Sequence, residues 1–177
     1  SAPSYSTVFG KTITQLAKTD PKVYCITAAM EIGTGMSDYV KKYPDRYIDV
    51  GIAEAHAVTY SCGIATGGFK PIIPFYSTFI QRAYDNIFHD VLLQSLPVVF
   101  CMDRAGVVGA DGPTHHGVYD ISLLRNLPNI IITAPKDGNE LKNLIATGLT
   151  LEKESMSIRY PKDTSYEYDE NIEAEIL

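Results

Sequence analysis

Apolar, β-rich runs alternate with helix-patterned stretches along nearly the whole chain, and few architectures accommodate that order. The runs are VYCITA (23–28), YIDVG (47–51), KPIIPFY (70–76), LPVVFCMD (96–103), NIIITAP (129–135) and SMSIRYP (155–161). Between them lie helix-like stretches at 4–18, around MSDYVKKY, at about 53–66, from Thr78 to about Ser95, at YDISLLRN and at DGNELKNLIATGLTLE. Strands joined through helices form crossovers, which give a largely parallel sheet covered by helices on both faces. Four of the runs are continuously apolar, as strands buried on both sides require. The expected fold is therefore α/β, a three-layer α/β/α arrangement around a mostly parallel sheet. In such sheets function collects on the loops beyond the strand C-termini.

A length of 177 residues suits one ordinary domain with a real core. The formal charge of −6 lacks any Lys/Arg cluster, which argues against nucleic acid, because nonspecific affinity for it comes from concentrated positive charge. No apolar run approaches the roughly 20 residues that span a bilayer, and SAPSYSTVFGKT lacks the plan of a signal peptide. No membrane association and a cytoplasmic location are expected. Cys25, Cys62 and Cys101 each lie in an apolar segment, far apart in sequence, and read as buried thiols. The domain is expected over 1–163, followed by an acidic tail or linker at 164–177.

Four loops that follow strands carry polar or charged residues, and a parallel sheet brings all four to one edge. In GIAEAH, Glu54 sits in the first turn of a helix, where unpaired amides and the helix dipole favour a carboxylate. Its neighbours Ile52, Ala53, Ala55, Ala57 and Val58 predict burial, and a buried carboxylate needs a partner or a proton-transfer task. Both readings stand on the residues alone. His56 points to another helix face and reads as a support residue. YSTFIQRAYD supplies Tyr76 and Phe79, core aromatics unless a flat heterocycle stacks on them, together with Arg82.

The loop from Asp103 to Asp120 is long for a compact α/β domain, which usually marks function. It holds four glycines, Arg104, Asp111, His115 and His116. A metal site is not expected: adjacent histidines project differently, and no HExxH-like pattern occurs. GADG with Asn139 downstream also fails as a GDG…N diphosphate–Mg²⁺ motif, since Ala110 replaces the glycine and Asn139 lies within an amphipathic helix. Arg82, Arg104 and Arg159 of IRYP place three guanidiniums on the same predicted edge, a set suited to an anionic substrate.

Taken together, DVGIAEAHAV, YSTFIQRAYDNIFHDV, DRAGVVGADGPTHHGVYDISLLRNLPN and IRYP closely resemble the central, pyrimidine-binding domain of the 1-deoxy-D-xylulose-5-phosphate synthases, transketolase-like thiamine diphosphate enzymes. The resemblance runs from about Tyr5 to Asp163; Ala55 departs from the glutamine common in that family. It implies the thiamine-diphosphate-binding fold and a transferase that condenses pyruvate with glyceraldehyde 3-phosphate with loss of CO₂, on the way to isoprenoids and thiamine. It further implies that Glu54 hydrogen-bonds N1′ of the aminopyrimidine and that Phe79 stacks on that ring. Tyr76, Arg82, Asp111 and His115 resemble substrate-channel residues, His115 being a candidate proton shuttle, and Arg104 and Arg159 resemble a phosphate grip.

In the family Mg²⁺ and the diphosphate are held by an N-terminal domain carrying GDG…N, so the resemblance implies partnership with the remaining domains, a homodimer, and no turnover by this segment alone. Two alternatives stay open: the corresponding segment of a transketolase or another two-carbon transferase, and a non-catalytic module of the same fold.

Overall fold

A computed structural model of the chain describes residues 2–177. Six strands form one all-parallel sheet in the order β2-β1-β3-β4-β6-β5. They are β1 (Val23–Thr27), β2 (Tyr47–Asp49), β3 (Lys70–Tyr76), β4 (Val99–Asp103), β5 (Ile130–Thr133) and β6 (Ser155–Arg159). Each falls inside one of the six apolar runs. The regular helices are α1 (Tyr5–Thr19), α2 (Ser37–Lys42), α3 (Glu54–Thr66), α5 (Asp120–Leu124) and α6 (Gly138–Gly148), with a single α turn, α4 (Tyr84–Asn86), inside a longer irregular helix.

Two cores, one on each sheet face, explain the continuous apolar runs. Val23, Cys25, Ile72, Val99, Cys101, Met156 and Ile158 pack beneath α1, α2 and α6, whereas Ile26, Ile73, Phe75, Phe100 and Met102 face α3, residues 77–92 and α5. Successive strand residues point to opposite faces, so a strand covered on both sides must be apolar at every position. α1 begins with Ser4, whose hydroxyl accepts the Thr7 N–H at 3.2 Å, and it buries Val8, Phe9, Ile13 and Ala17 at helical spacing. Its Gly10 lies so close to the loop after β1 that a Cβ there would come within 1.9 Å of the Gly35 carbonyl oxygen. Only glycine permits that approach, which fixes the 28–36 loop against α1.

The stretch expected as one helix from Thr78 to about Ser95 differs in kind. It starts as a 3₁₀ helix over Ser77–Ala83, passes through α4, and ends as a π-helix over Ile87–Leu92. The 3₁₀ winding eclipses residues three apart. This sets Phe79 and Arg82 on one line, continuing from Tyr76.

The segment 164–177 contains neither helix nor strand, yet its backbone is fastened to the domain. Gly138 N–H donates to the Tyr166 carbonyl, and the buried Lys142 ammonium donates to the carbonyls of Asp169 and Ile172 at 3.0 and 2.5 Å. All three cysteines are buried free thiols, as expected. Among the described residues no helix is long and apolar enough to cross a membrane.

Candidate functional site

The parallel sheet brings the loops after β1, β2, β3, β4 and β6 to its C-terminal edge, and the candidate residues meet there. Glu54 opens α3 and is buried, 3% exposed. Its Oε1 accepts from Arg82 Nη1 at 2.8 Å, while Oε2 has no hydrogen bond among the described residues. The Arg82 guanidinium lies 4.7 Å from the centre of the Phe79 ring, the consequence of their three-residue spacing on a 3₁₀ helix. Phe79 stacks on Tyr76, with ring centres 5.9 Å apart and planes 17° apart. His115 stands against both rings, 5.5 Å from Phe79 and 6.3 Å from Tyr76. The Arg104 guanidinium closes the line 4.0 Å over the opposite ring, Tyr76, whose hydroxyl is pushed above the ordinary tyrosine pKa by burial. Acid, aromatic pair, imidazole and cation thus form one continuous surface.

The loop from Asp103 to Asp120 is pinned at its base, where Gly106 and Gly117 exchange N–H···O bonds of 2.7 and 2.8 Å. Two short 3₁₀ turns, Gly109–Asp111 and Pro113–His115, form its tip, and the Thr78 hydroxyl donates to the Thr114 carbonyl at 3.1 Å. That link holds His115 over the aromatic pair. His116 turns the other way, its Nδ1 accepting the Val108 N–H at 3.1 Å, so it supports the loop. Asp111 meets Lys162 at 2.6 Å, and this ammonium holds the Asp111 carboxyl below the ordinary aspartate value.

Arg104 itself is bound inward. It adopts φ +58°, which non-glycine residues rarely do, and its side chain folds back over its own neighbour. Nη1 donates to the Gly33 carbonyl at 2.7 Å and lies 3.1 Å from Asp103 Oδ1. Asp103 is fully buried; it also accepts the Ser6 hydroxyl at 2.7 Å and the Arg104 N–H at 2.7 Å. Burial raises the Asp103 pKa above the ordinary aspartate value, against the opposing pull of the Arg104 charge and those hydrogen bonds.

Arg159, at the end of β6, engages a different acid. Both its hydrogen bonds, Nε at 2.8 Å and Nη2 at 3.4 Å, go to the buried carboxylate of Asp120 at the start of α5. Arg82 and Arg104 flank one aromatic pair, and Arg159, in register with Met102 on the neighbouring strand, holds Asp120 at the start of α5. His56 is exposed and its ring meets Tyr60 edge-on at 6.1 Å, away from Glu54.

Sequence reasoning missed four participants: Ser6, Gly33, Asp103 as a partner of Arg104, and Lys162. For Gly33 a signal existed, since GTG lies in the loop that follows the first strand. A Cβ on Gly33 would come within 1.9 Å of the Tyr76 hydroxyl, so the loop after β1 is a wall of the site.

Two cavities, of about 360 and 470 Å³, border α1. Neither is lined by Glu54, Phe79 or Arg104. The candidate site is instead an open face, edged by Ile52 and Val107 at 80% and 76% exposure. Chemically it offers a buried carboxylate with one unoccupied oxygen, an aromatic pair, an imidazole against that pair, and two guanidiniums, of which Arg82 is half exposed. Among the described residues no group of three or more His, Cys, Asp or Glu is placed to hold a metal ion.

Residues 1–166 match the family described as "Transketolase, pyrimidine binding domain". The chain is 57% identical over 164 residues to 1-deoxy-D-xylulose-5-phosphate synthase of Thermosynechococcus vestitus, covering 93% of this chain and 26% of that protein. It is 54% identical over 161 residues to 1-deoxy-D-xylulose-5-phosphate synthase 1 of Geobacter sulfurreducens, covering 91% and 25%. The chain thus spans about a quarter of the length of the curated relatives it matches. Among solved structures, a split gene transketolase described as an inactive beta4 tetramer superposes with TM-score 0.84 at 24% identity, over 98% of this chain and 56% of that one. A transketolase mutant from Pichia stipitis gives TM-score 0.84 at 18% identity, over 94% and 26%. These structures share the fold, including the six-stranded parallel sheet between helical layers. The family match over nearly the whole chain, with relatives identical at more than half of the aligned positions, makes this chain a member of the transketolase pyrimidine-binding domain family.

Proposed function

We propose that this chain is the pyrimidine-holding part of a 1-deoxy-D-xylulose-5-phosphate synthase, an enzyme that condenses pyruvate with glyceraldehyde 3-phosphate and releases CO₂. The observation that carries the reading is Glu54: a buried carboxylate with Oε1 bound to Arg82, Oε2 unoccupied, and that same Arg82 guanidinium 4.7 Å from the Phe79 ring centre. A buried acid aimed at an aminopyrimidine has a defined task, because its hydrogen bond to a ring nitrogen strengthens where water is excluded. Thiamine diphosphate, when bound, supplies the carbanion-stabilising chemistry that decarboxylation of a 2-oxo acid needs.

The residues of this chain divide the remaining work. Glu54 holds a proton between Oε2 and N1′ of the pyrimidine, and Phe79 offers its face to that ring. Arg82 keeps Glu54 oriented through Oε1. His115, against both aromatic rings, moves protons to and from the substrate, and Tyr76 shapes the channel. Arg104 turns its free guanidinium edge to the phosphate of the aldehyde. Arg159, with two N–H groups on Asp120, contributes its remaining Nη1, and Asp111 with Lys162 lines the margin.

The diphosphate and Mg²⁺ are assigned to the remaining domains of the enzyme, since no GDG…N pattern occurs in this sequence. On this reading the 177-residue segment alone does not turn over pyruvate. The assembled enzyme works as a cytoplasmic homodimer that feeds isoprenoid and thiamine synthesis.

The test combines this segment with the remainder of its enzyme, Mg²⁺ and thiamine diphosphate, and compares wild type with Glu54→Gln. Pyruvate decarboxylation should fall by about 10²–10⁴-fold, the range a positioned acid–base group contributes. Near-normal decarboxylation would remove Glu54 from this role. A ketose phosphate that outperforms pyruvate as donor would instead assign the chain to a transketolase.

A further inference from the structure

The surroundings of Arg104 are costly in three ways. Its backbone sits at φ +58°, a conformation disfavoured for a residue with a Cβ. The acid that meets it is the preceding residue, and Asp103 has no exposure at all, so a carboxylate has been taken out of water at the very end of β4. Finally, the Nε of Arg104 is buried without a hydrogen-bond partner. A guanidinium that served only as a surface charge would need none of this.

The arrangement has one clear geometric result. Nη1 is held by Gly33 O at 2.7 Å, by Asp103 Oδ1 at 3.1 Å and, at the limit, by Ser6 Oγ at 3.5 Å. The plane of the group lies against Tyr76, 4.0 Å from the ring centre. Among the described residues Nη2 has no partner. Three elements far apart in sequence, the start of α1, the loop after β1 and the end of β4, therefore clamp one edge of the guanidinium and leave the other bare. Arg loses little freedom on binding a phosphate when its planar fork is already fixed.

We propose that Asp103, supported by the Ser6 hydroxyl, is a positioning residue for substrate recognition: it fixes Arg104 so that Nη2 addresses the phosphate of the acceptor aldehyde. Asp103 touches no substrate in this role. It acts through Arg104, and Ser6 acts through Asp103 by occupying Oδ2, which keeps Oδ1 turned to the arginine. This inference rests on the function proposed above.

The experiment measures steady-state kinetics in the complete enzyme for Asp103→Asn, Ser6→Ala and Arg104→Ala, with glyceraldehyde 3-phosphate and with unphosphorylated glyceraldehyde as acceptors. Asp103→Asn should raise the KM for the phosphorylated acceptor by about tenfold or more, in keeping with the sensitivity of such contacts to small misplacements. The KM values for glyceraldehyde and for pyruvate should stay within about twofold, a selectivity that general loosening of the fold does not produce. Ser6→Ala, a small change near the surface, should move the same KM in the same direction by a few fold and keeps the test alive if Asp103→Asn does not fold. In an Arg104→Ala background, Asp103→Asn should add nothing further. A raised KM in Arg104→Ala with unchanged values in Asp103→Asn and Ser6→Ala overturns this inference alone. An unchanged KM in Arg104→Ala overturns the phosphate contact and the inference with it.

Discussion

Arg82→Ala tests whether the free domain really holds Glu54 as a paired charge. Removing one partner of a fully buried ion pair costs about 3–5 kcal/mol, because the remaining charge is stranded. Here the ceiling does not apply, since the Arg82 side chain is 50% exposed while Glu54 is 4% exposed. Water enters where the guanidinium stood and solvates Oε1. The N-terminus of α3 continues to favour the carboxylate by about 0.3–1 kcal/mol. Against that, the cation stacked on Phe79 is also lost, worth about 0.5–1 kcal/mol at an exposed site. The net expectation is a destabilisation of about 1–2 kcal/mol, which for a domain of this size lowers Tm by roughly 2–8 °C. Urea unfolding of wild type, Arg82→Ala, Glu54→Gln and the double variant measures it at neutral pH. In the Glu54→Gln background, Arg82→Ala should cost only the stacking contribution, about 0.5–1 kcal/mol. An equal loss in both backgrounds would mean that the 2.8 Å contact contributes no net stability, and the account of Glu54 as a charge held ready by Arg82 would fail.

Three further outcomes follow from the same geometry. Gly33→Ala drives a Cβ to within 1.9 Å of the Tyr76 hydroxyl and should cost about 1–3 kcal/mol by overpacking; most of that loss should disappear in a Tyr76→Phe background, read as urea midpoints. Thiol labelling of the native chain should be slow: burial pushes the Cys25 and Cys101 thiols far above the ordinary value and the Cys62 thiol to about 11, so Cys62, at 8% exposure, should label first and the other two only on unfolding. Asp103 should leave a mark on the pH dependence of stability. Its folded pKa lies above the ordinary 3.8, so its favourable contribution is complete below 3.8 and is lost as pH rises through the folded value. Asp103→Asn should remove that downward component from a plot of unfolding free energy against pH, and an unchanged slope would show that Asp103 is not the titrating group.

The strands were legible because burial on both faces leaves no polar position to interrupt the run, so KPIIPFY and LPVVFCMD announce themselves without alternation. The helical stretch after β3 was legible as helix but not in its winding. A 3₁₀ helix and an α-helix share the i,i+3 neighbour, and only coordinates separate them. Glu54, Tyr76, Phe79, Arg82 and His115 could be expected near one another because loops beyond parallel strands converge. What escaped was who binds whom across distance. Ser6 meets Asp103 across 97 positions and Arg159 meets Asp120 across 39, and no local pattern specifies either pair. Counting three arginines on one edge overlooked that buried acids on the same edge had prior claims on them. The tail shows the same limit: its acidic, aperiodic composition suggests free solvation, yet its carbonyls tie it to Lys142.

Those prior claims organise the whole face. Arg82, Arg104 and Arg159 each engage a carboxylate that is almost wholly inaccessible, with side-chain exposures of 4%, 0% and 1% for Glu54, Asp103 and Asp120. In each pair the acid sits on or beside a regular element, at the start of α3, the end of β4 and the start of α5, and its arginine is more exposed than the acid, by far the most at Arg82. A carboxylate buried to pair with a single cation is a poor device for stability, because desolvation offsets much of the Coulomb gain. It is a good device for direction. The acid fixes one edge of a planar group, and the opposite edge faces whatever covers the surface. An open face edged by Ile52 and Val107 is consistent with a partner domain completing the site. An arginine edge fixed by a buried acid gives an anionic ligand at that face a prearranged positive boundary, which costs less at the moment of binding than flexible lysines would.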